Sequence, residues 1–234
     1  MAAARKTGPR AAAIANLLTL ALPKGRILQE APALLAKAGY YVSPALGDSR
    51  ELQFVCGPLR VLIVRSSDVI PYVSRGDADL GVAGSDVLDE AGVDMYAPLN
   101  LGIGRCDMVV AARADELARP TSMQLIRVGT KYPRIAAKYY DRQGLAADII
   151  ELSGSIELGP WTGLCDQIVD ITQSGETLRQ NHLTIVDKVG PVASMLVVNR
   201  AAMKLRPAEI STMVARLRDQ VPFIDREIPG VGDN

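Results

Sequence analysis

The chain is 234 residues long, with 26 basic and 26 acidic side chains, so no net charge draws in nucleic acid or an anionic membrane surface. Apolar residues at 48 % and charged residues at 22 % describe an ordinary folded protein of one large domain or two small lobes, and aromatic residues at 4 % are too few for a base-stacking platform. A single histidine, His182, argues against a Ser-His-Asp hydrolase or a multi-histidine metal centre.

At the N-terminus, Arg5, Lys6 and Arg10 precede apolar Ala11–Leu22, the order of a signal peptide. Asn16 and Thr19 interrupt that run, and Pro23-Lys24-Gly25-Arg26 stands where a small-residue cleavage site would be. Residues 1–15 are therefore expected to form a disordered Ala-rich extension, and Leu17–Leu22 a strand covered on both faces. No apolar run reaches the roughly 18 residues that a membrane span needs. Ile27, Ala31, Leu34, Leu35 and Ala38 fall at helical spacing, with Gly39 to end the helix and Pro32 predicting a kink or a late start.

Leu52–Cys56 and Arg60–Val64 read as strands around Gly57-Pro58. Asp68 is placed to cap a helix with Pro71 at its third position, and Gly76 to stop it. Ala78–Ala83 is the next strand, and Gly84-Ser85-Asp86 opens a short helix. Asp107–Ala112 is a strand leading into a second lobe, which continues with strand Leu125–Gly129, helix Pro133–Gln143 closed by Gly144, and strands Asp148–Leu152 and Gln167–Ile171. A short helix starts at about Thr177, Ser194–Val198 is a returning strand, and Pro207–Gln220 is amphipathic through Ile210, Met213, Val214 and Leu217. This alternation predicts an α/β fold with mostly parallel sheets flanked by helices. Lobe I takes residues 16–106 and 194–234, lobe II takes 107–193, and a ligand is expected in the cleft between lobes.

The most informative stretch is Gln167-Ile168-Val169-Asp170-Ile171-Thr172-Gln173-Ser174-Gly175-Glu176-Thr177-Leu178. A strand ends in small residues and a helix starts at once, so amides and hydroxyls can converge on a phosphate monoester, while Asp170 can accept from vicinal sugar hydroxyls. The competing explanation is an ordinary strand–turn–helix connection with a Ser/Thr cap. Ser153-Gly154-Ser155 followed by Glu157 is a second such loop. Lys24, Arg26 and Arg65 follow strand ends, where cations meet ligands in open α/β sheets; solvated surface charge is the alternative for each. Asp77 and Asp79 bracket a strand start and are not expected to share a metal. Cys56, Cys106 and Cys165 read as small buried thiols of a reducing compartment, and His182 as an exposed helix-end residue.

Five segments in register resemble the ATP phosphoribosyltransferase family: Leu20–Arg26, Val64–Val69, Gly76–Gly84, Gly129–Pro133 and Glu157–Leu178. The resemblance runs from about Leu17 to Asn199 and implies a two-lobe fold like type II periplasmic solute-binding proteins. It implies transfer of the phosphoribosyl group of phosphoribosyl pyrophosphate (PRPP) to N1 of ATP with release of pyrophosphate, the first step of histidine biosynthesis, in the cytoplasm.

Carried onto this sequence, it places PRPP on Glu157, Asp170, Thr172, Gln173, Ser174, Gly175, Glu176 and Thr177. Lys24, Arg26 and Arg65 fall to the departing pyrophosphate, and Thr130, Lys131 and Tyr132 to the ATP side. Mg²⁺ would arrive on PRPP, with Glu157 or Asp170 in reach, rather than in a site of protein ligands alone. The chain resembles the short form, which implies a homodimer within a hetero-oligomer containing a regulatory subunit similar to histidyl-tRNA synthetase. Asp170 is followed by Ile171 and not by a second acid, unlike phosphoribosyltransferases of the commoner fold. Cys165 stands where Ala or Ser is usual and Trp161 where an aliphatic residue is usual, with packing consequences expected. Two rivals remain: a non-catalytic solute-binding or sensor domain of the same fold, and transfer to another base.

Overall fold

A computed structural model describes residues 16–42, 50–116 and 125–222. The expected extension 1–15 and the end of the chain beyond residue 222 lie outside the described residues. The described residues divide into two compact units: those up to 87, 93–104 and 194–222 form the first, and those in 88–92 and 105–193 the second.

The first unit holds a six-stranded sheet ordered β2-β3-β1-β4-β11-β5. Its strands are β1 (Leu18–Pro23), β2 (Gln53–Cys56), β3 (Leu59–Val64), β4 (Leu80–Gly84), β5 (Tyr96–Asn100) and β11 (Ser194–Val198). β1 is wholly buried, as its unbroken apolar run requires. Leu20, Leu22, Val61, Ile63 and Leu80 face α1 (Arg26–Lys37) and α8 (Pro207–Gln220), where Leu35, Ile210, Met213 and Leu217 meet them. Burial of each such side chain contributes on the order of 1.5–3 kcal/mol. Of the remaining helices, α2 spans Val69–Arg75, α3 Ser85–Ala91 and α7 Arg200–Leu205.

The second unit holds a five-stranded sheet ordered β10-β6-β9-β7-β8. Here β6 is Cys106–Arg113, β7 Ile126–Thr130, β8 Ala147–Glu151, β9 Gln167–Thr172 and β10 Leu183–Val192. Val128 and Val169 pack on Ala136 and Tyr140 of α4 (Pro133–Gln143). Ile168, on the opposite face, packs with Ile156, Cys165 and Leu178, beneath α5 (Gly159–Thr162) and α6 (Glu176–Gln180).

The centre of each sheet is parallel, through β1 with β3 and β4 and through β7 with β8 and β9. The flanking pairs are antiparallel, so both sheets are mixed. β5 and β10 have no counterpart in the sequence reading. β5 carries Pro98 at a sheet edge, and β10 is an exposed edge strand broken by register shifts around Asp187 and Lys188, so neither shows a clean apolar alternation.

Pro32 does not delay α1, which starts at Arg26 and runs through it. Asp68 does precede α2 with Pro71 at the third position, but its carboxylate makes no capping bond and accepts instead from the Ser67 hydroxyl at 3.1 Å. Leu88–Gly92, expected with lobe I, groups with the second unit. Among the described residues no helix is long and apolar enough to cross a membrane.

Candidate active site

The register of the second sheet sets two charged residues side by side. Thr130 pairs with Val169 on parallel strands, so Lys131, the first residue past β7, lies beside Asp170 near the carboxyl end of β9. Lys131 Nζ lies 3.3 Å from the buried Asp170 Oδ1. The Asp170 side chain is only 15 % exposed, against 41 % for Lys131. Burial pushes the Asp170 carboxyl above the usual carboxylate range; Lys131 and the Ile171 amide pull the other way, and the charge of Glu157 adds to the rise. Glu157 comes from the second small-residue loop, on a 3₁₀ turn (Ile156–Leu158) entered through Ser155 in the left-handed region at φ 49°.

Of the three residues assigned to the ATP side, Lys131 alone presents an exposed side chain. The Thr130 hydroxyl is fully buried, donating to the Val169 carbonyl at 2.7 Å and accepting from the Tyr132 amide at 2.9 Å. Tyr132 is 7 % exposed and packs in the core, with Lys131 Nζ 5.8 Å from its ring centre. Thr130 and Tyr132 therefore shape the loop that carries Lys131 and do not present their own polar atoms. The reason is tertiary: β9, 39 residues away, supplies the acceptor for Thr130.

The loop after β9 turns on Gly175, whose φ of 73° and ψ of 0° suit glycine. Its amide donates to Thr172 Oγ1 at 2.9 Å, and the Glu176 amide reaches Ser174 Oγ at 3.4 Å. α6 has only five residues, so its dipole is weak and the anion-binding capacity of the loop lies in amides and hydroxyls. Gln173, Ser174 and Thr177 are exposed on this loop. The Glu176 carboxylate is bound by Arg179 at 2.7 and 2.9 Å and by Gln180 at 2.7 Å, which holds its pKa below the usual value.

In the first unit, Pro23 pairs with Val64 and the Lys24 amide donates to the Val64 carbonyl at 2.8 Å, so Lys24 and Arg65 emerge together at the carboxyl ends of β1 and β3. Both are exposed. Arg26, one turn on, donates from Nη2 to the Gly104 carbonyl at 2.6 Å and sits 3.5 Å from Glu30.

Two carboxylates escaped the sequence reading. Glu30 joins Arg26 at the i, i+4 spacing, a signal that was available locally. Glu90 accepts from the Arg134 and Ile135 amides at 2.9 and 3.0 Å and so caps α4, for which Tyr132 provides no side-chain cap. The only local hint is that α4 opens on Pro133 without a capping residue.

Asp79 is structural, its Oδ2 accepting from the Thr19 amide at 2.8 Å. Cys56 and Cys165 are buried, and burial raises both thiols; Cys106, expected buried, is half-exposed at the start of β6. Cys165 fills the space against Gly129 and Gly159. Trp161 is 46 % exposed, with the Arg113 guanidinium 4.5 Å from its ring centre and its Nε1 donating to the Asn181 carbonyl at 2.8 Å. His182 is exposed and meets the Trp161 ring edge-on at 6.3 Å. Among the described residues no three His, Cys, Asp or Glu side chains gather as a metal site.

A family model described as HisG: ATP phosphoribosyltransferase matches residues 65–219. An ATP phosphoribosyltransferase of Acidithiobacillus ferrooxidans is 46 % identical over 209 residues, covering 87 % of this chain and 97 % of that one. The corresponding protein of Geobacter metallireducens is 43 % identical over 213 residues, covering 89 % and 100 %. Among solved structures, the ATP phosphoribosyl transferase (HisG:HisZ) complex from Thermotoga maritima matches with a TM-score of 0.73 at 30 % identity, over 87 % of this chain and 98 % of that chain. The periplasmic aliphatic sulphonate binding protein SsuA from Escherichia coli matches with a TM-score of 0.54 at 13 % identity, over 88 % and 68 %, a likeness of fold alone and that of type II periplasmic binding proteins. By the family model and by the identity it shares with relatives over most of its length, this chain belongs to the ATP phosphoribosyltransferase family.

Proposed function

We propose that the chain transfers the phosphoribosyl group of PRPP to N1 of ATP, releasing pyrophosphate. The observation that carries the reading is the Lys131–Asp170 pair with Glu157 beside it, at the mouth of the Thr172–Thr177 loop, in a chain of this family. In this reading the amides of Gln173–Thr177 hold the 5′-phosphate, whose oxygens take over the amides that Thr172 and Ser174 hydroxyls occupy. Asp170 accepts from the ribose hydroxyls, and Lys131, exposed next to it, is the contact on the ATP side.

In the reaction the bond from C1 to the pyrophosphate oxygen breaks, the electron pair leaving with pyrophosphate, while the lone pair of adenine N1 forms the new bond to C1. Lys24, Arg26 and Arg65 stabilise the negative charge that develops on the leaving group. No protein nucleophile is required, because orienting the two reactants can contribute about 7–11 kcal/mol. The buried carboxylate of Asp170, with Glu157 near, is a hard-oxygen donor set that fits Mg²⁺ carried in on PRPP. That ion supplies charge neutralisation on the pyrophosphate oxygens when bound.

We further propose a regulatory partner subunit, because the Thermotoga maritima neighbour is a HisG:HisZ complex matched over nearly its whole chain. Incubation with ATP, Mg²⁺ and PRPP, with and without such a subunit, tests the function. Phosphoribosyl-ATP is the expected product, and its absence under both conditions points to the sensor reading. Competition by other bases tests acceptor identity.

A further inference from the structure

We propose that Glu30 is a positioning residue for the departing pyrophosphate, holding the Arg26 guanidinium in place through a closed ring with the backbone of Gly104. The inference rests on the leaving-group role given to Arg26 above.

Three links close the ring. Arg26 Nη2 donates to the Gly104 carbonyl at 2.6 Å, the Gly104 amide donates to Glu30 Oε2 at 2.8 Å, and Glu30 Oε1 lies 3.5 Å from Arg26 Nε. As a solvent-facing i, i+4 pair, with side chains 36 % and 39 % exposed, Arg26 and Glu30 alone would mean little. The backbone of a residue 74 positions further along changes that, because the one peptide segment engages both side chains. A long, freely rotating arginine is thereby held at two points, and its charge is balanced within the ring.

Gly104 is shaped for this. Its φ is +64°, and a Cβ there would stand 2.6 Å from the Ser194 hydroxyl oxygen and 3.1 Å from Ile27 Cγ1. Any side chain would push the segment away from α1 and open the ring. Ser194 is fully buried.

A group that acts on charge developing in the transition state loses effect when its geometry loosens, even if ground-state affinity is kept. Removing Glu30 frees Arg26 without deleting it, and its signature is a fall in kcat with little change in KM for PRPP.

The test is a double-mutant cycle on the full chain assayed with its regulatory subunit, with thermal melting to establish that each variant is folded. Arg26→Ala and Glu30→Ala are each expected to lower kcat by about 10- to 100-fold. The double variant is expected to be no worse than Arg26→Ala, since Glu30 acts only through Arg26. Glu30→Gln, which keeps an acceptor for the Gly104 amide, should recover part of the loss. If Arg26→Ala is impaired but Glu30→Ala turns over like the parent, or if the two losses multiply, the positioning role is overturned and the leaving-group role of Arg26 stands. If Arg26→Ala itself turns over like the parent, the leaving-group role fails and takes the inference with it.

Discussion

Lys131 Nζ and Asp170 Oδ1 stand 3.3 Å apart because β7 and β9 run parallel with Thr130 paired to Val169, so the residue that follows β7 lies beside Asp170 on β9. A buried carboxylate thus meets a half-exposed ammonium towards the carboxyl ends of two central strands. The pair compensates part of the burial of Asp170 without fixing its charge outright, since burial still outweighs Lys131 in setting the carboxyl's pKa.

The first prediction concerns pH. In the proposed role Asp170 accepts from ribose hydroxyls in its ionised form, so PRPP affinity should be constant at high pH and fall as pH drops through the raised pKa. The fall should begin above the pH at which an ordinary aspartate titrates. Isothermal titration across pH checks this, and Asp170→Asn should weaken binding and flatten the profile. The sign for stability is opposite to that of an acid whose pKa is lowered on folding. A folded-state pKa above the unfolded one favours the protonated form, so stability declines as pH rises from the unfolded value through the folded one. Asp170→Asn should therefore melt higher than the parent at neutral pH.

Lys131→Met removes the cation that opposes burial at Asp170. The pH at which PRPP affinity begins to fall should move further up, and a profile that stays in place would show that Lys131 does not act on Asp170.

Gly175→Val forces a β-branched residue into the left-handed region at φ 73°. The added Cβ would meet Ile185 Cδ1 at an ordinary 3.8 Å, so the penalty is backbone strain of about 1–2 kcal/mol and not a clash. The loop should rearrange and PRPP binding be lost while the fold survives, as read by calorimetry beside circular dichroism.

The strand that carries Asp170 and the turn at Gly175 were legible in the sequence because the signal is local: an apolar strand, small residues and a helix start within a dozen positions. Thr130 and Tyr132 misled for the opposite reason, because what their side chains do is settled by a strand and a core that local spacing does not reveal. Glu30 and Glu90 act on backbone 74 and 44 residues away, distances over which single-sequence patterns carry no information. The parallel strands at the sheet centres were visible as apolar runs, whereas edge strands β5 and β10 mix exposed, polar and proline positions that mimic loops.

Glu90→Ala should expose two amides at the start of α4. Loss of such a cap costs about 1 kcal/mol, a drop in Tm of roughly 2–4 °C for a chain of this size. Glu90→Asp should behave more like the alanine variant than the parent if reach, and not charge, decides the cap.

Arg65, exposed at the end of β3, is assigned to charge that appears only as pyrophosphate leaves. Arg65→Ala should lower kcat more than it raises KM for PRPP. An effect on KM alone would mean that Arg65 binds ground and transition states equally.

The most direct measurement is a crystal structure of the chain with PRPP bound. The 5′-phosphate is expected within hydrogen-bonding distance of the amides of residues 173–177, with a ribose hydroxyl on Asp170. A phosphate lodged elsewhere, with that loop still closed on Thr172 and Ser174, would contradict the assignment of the site.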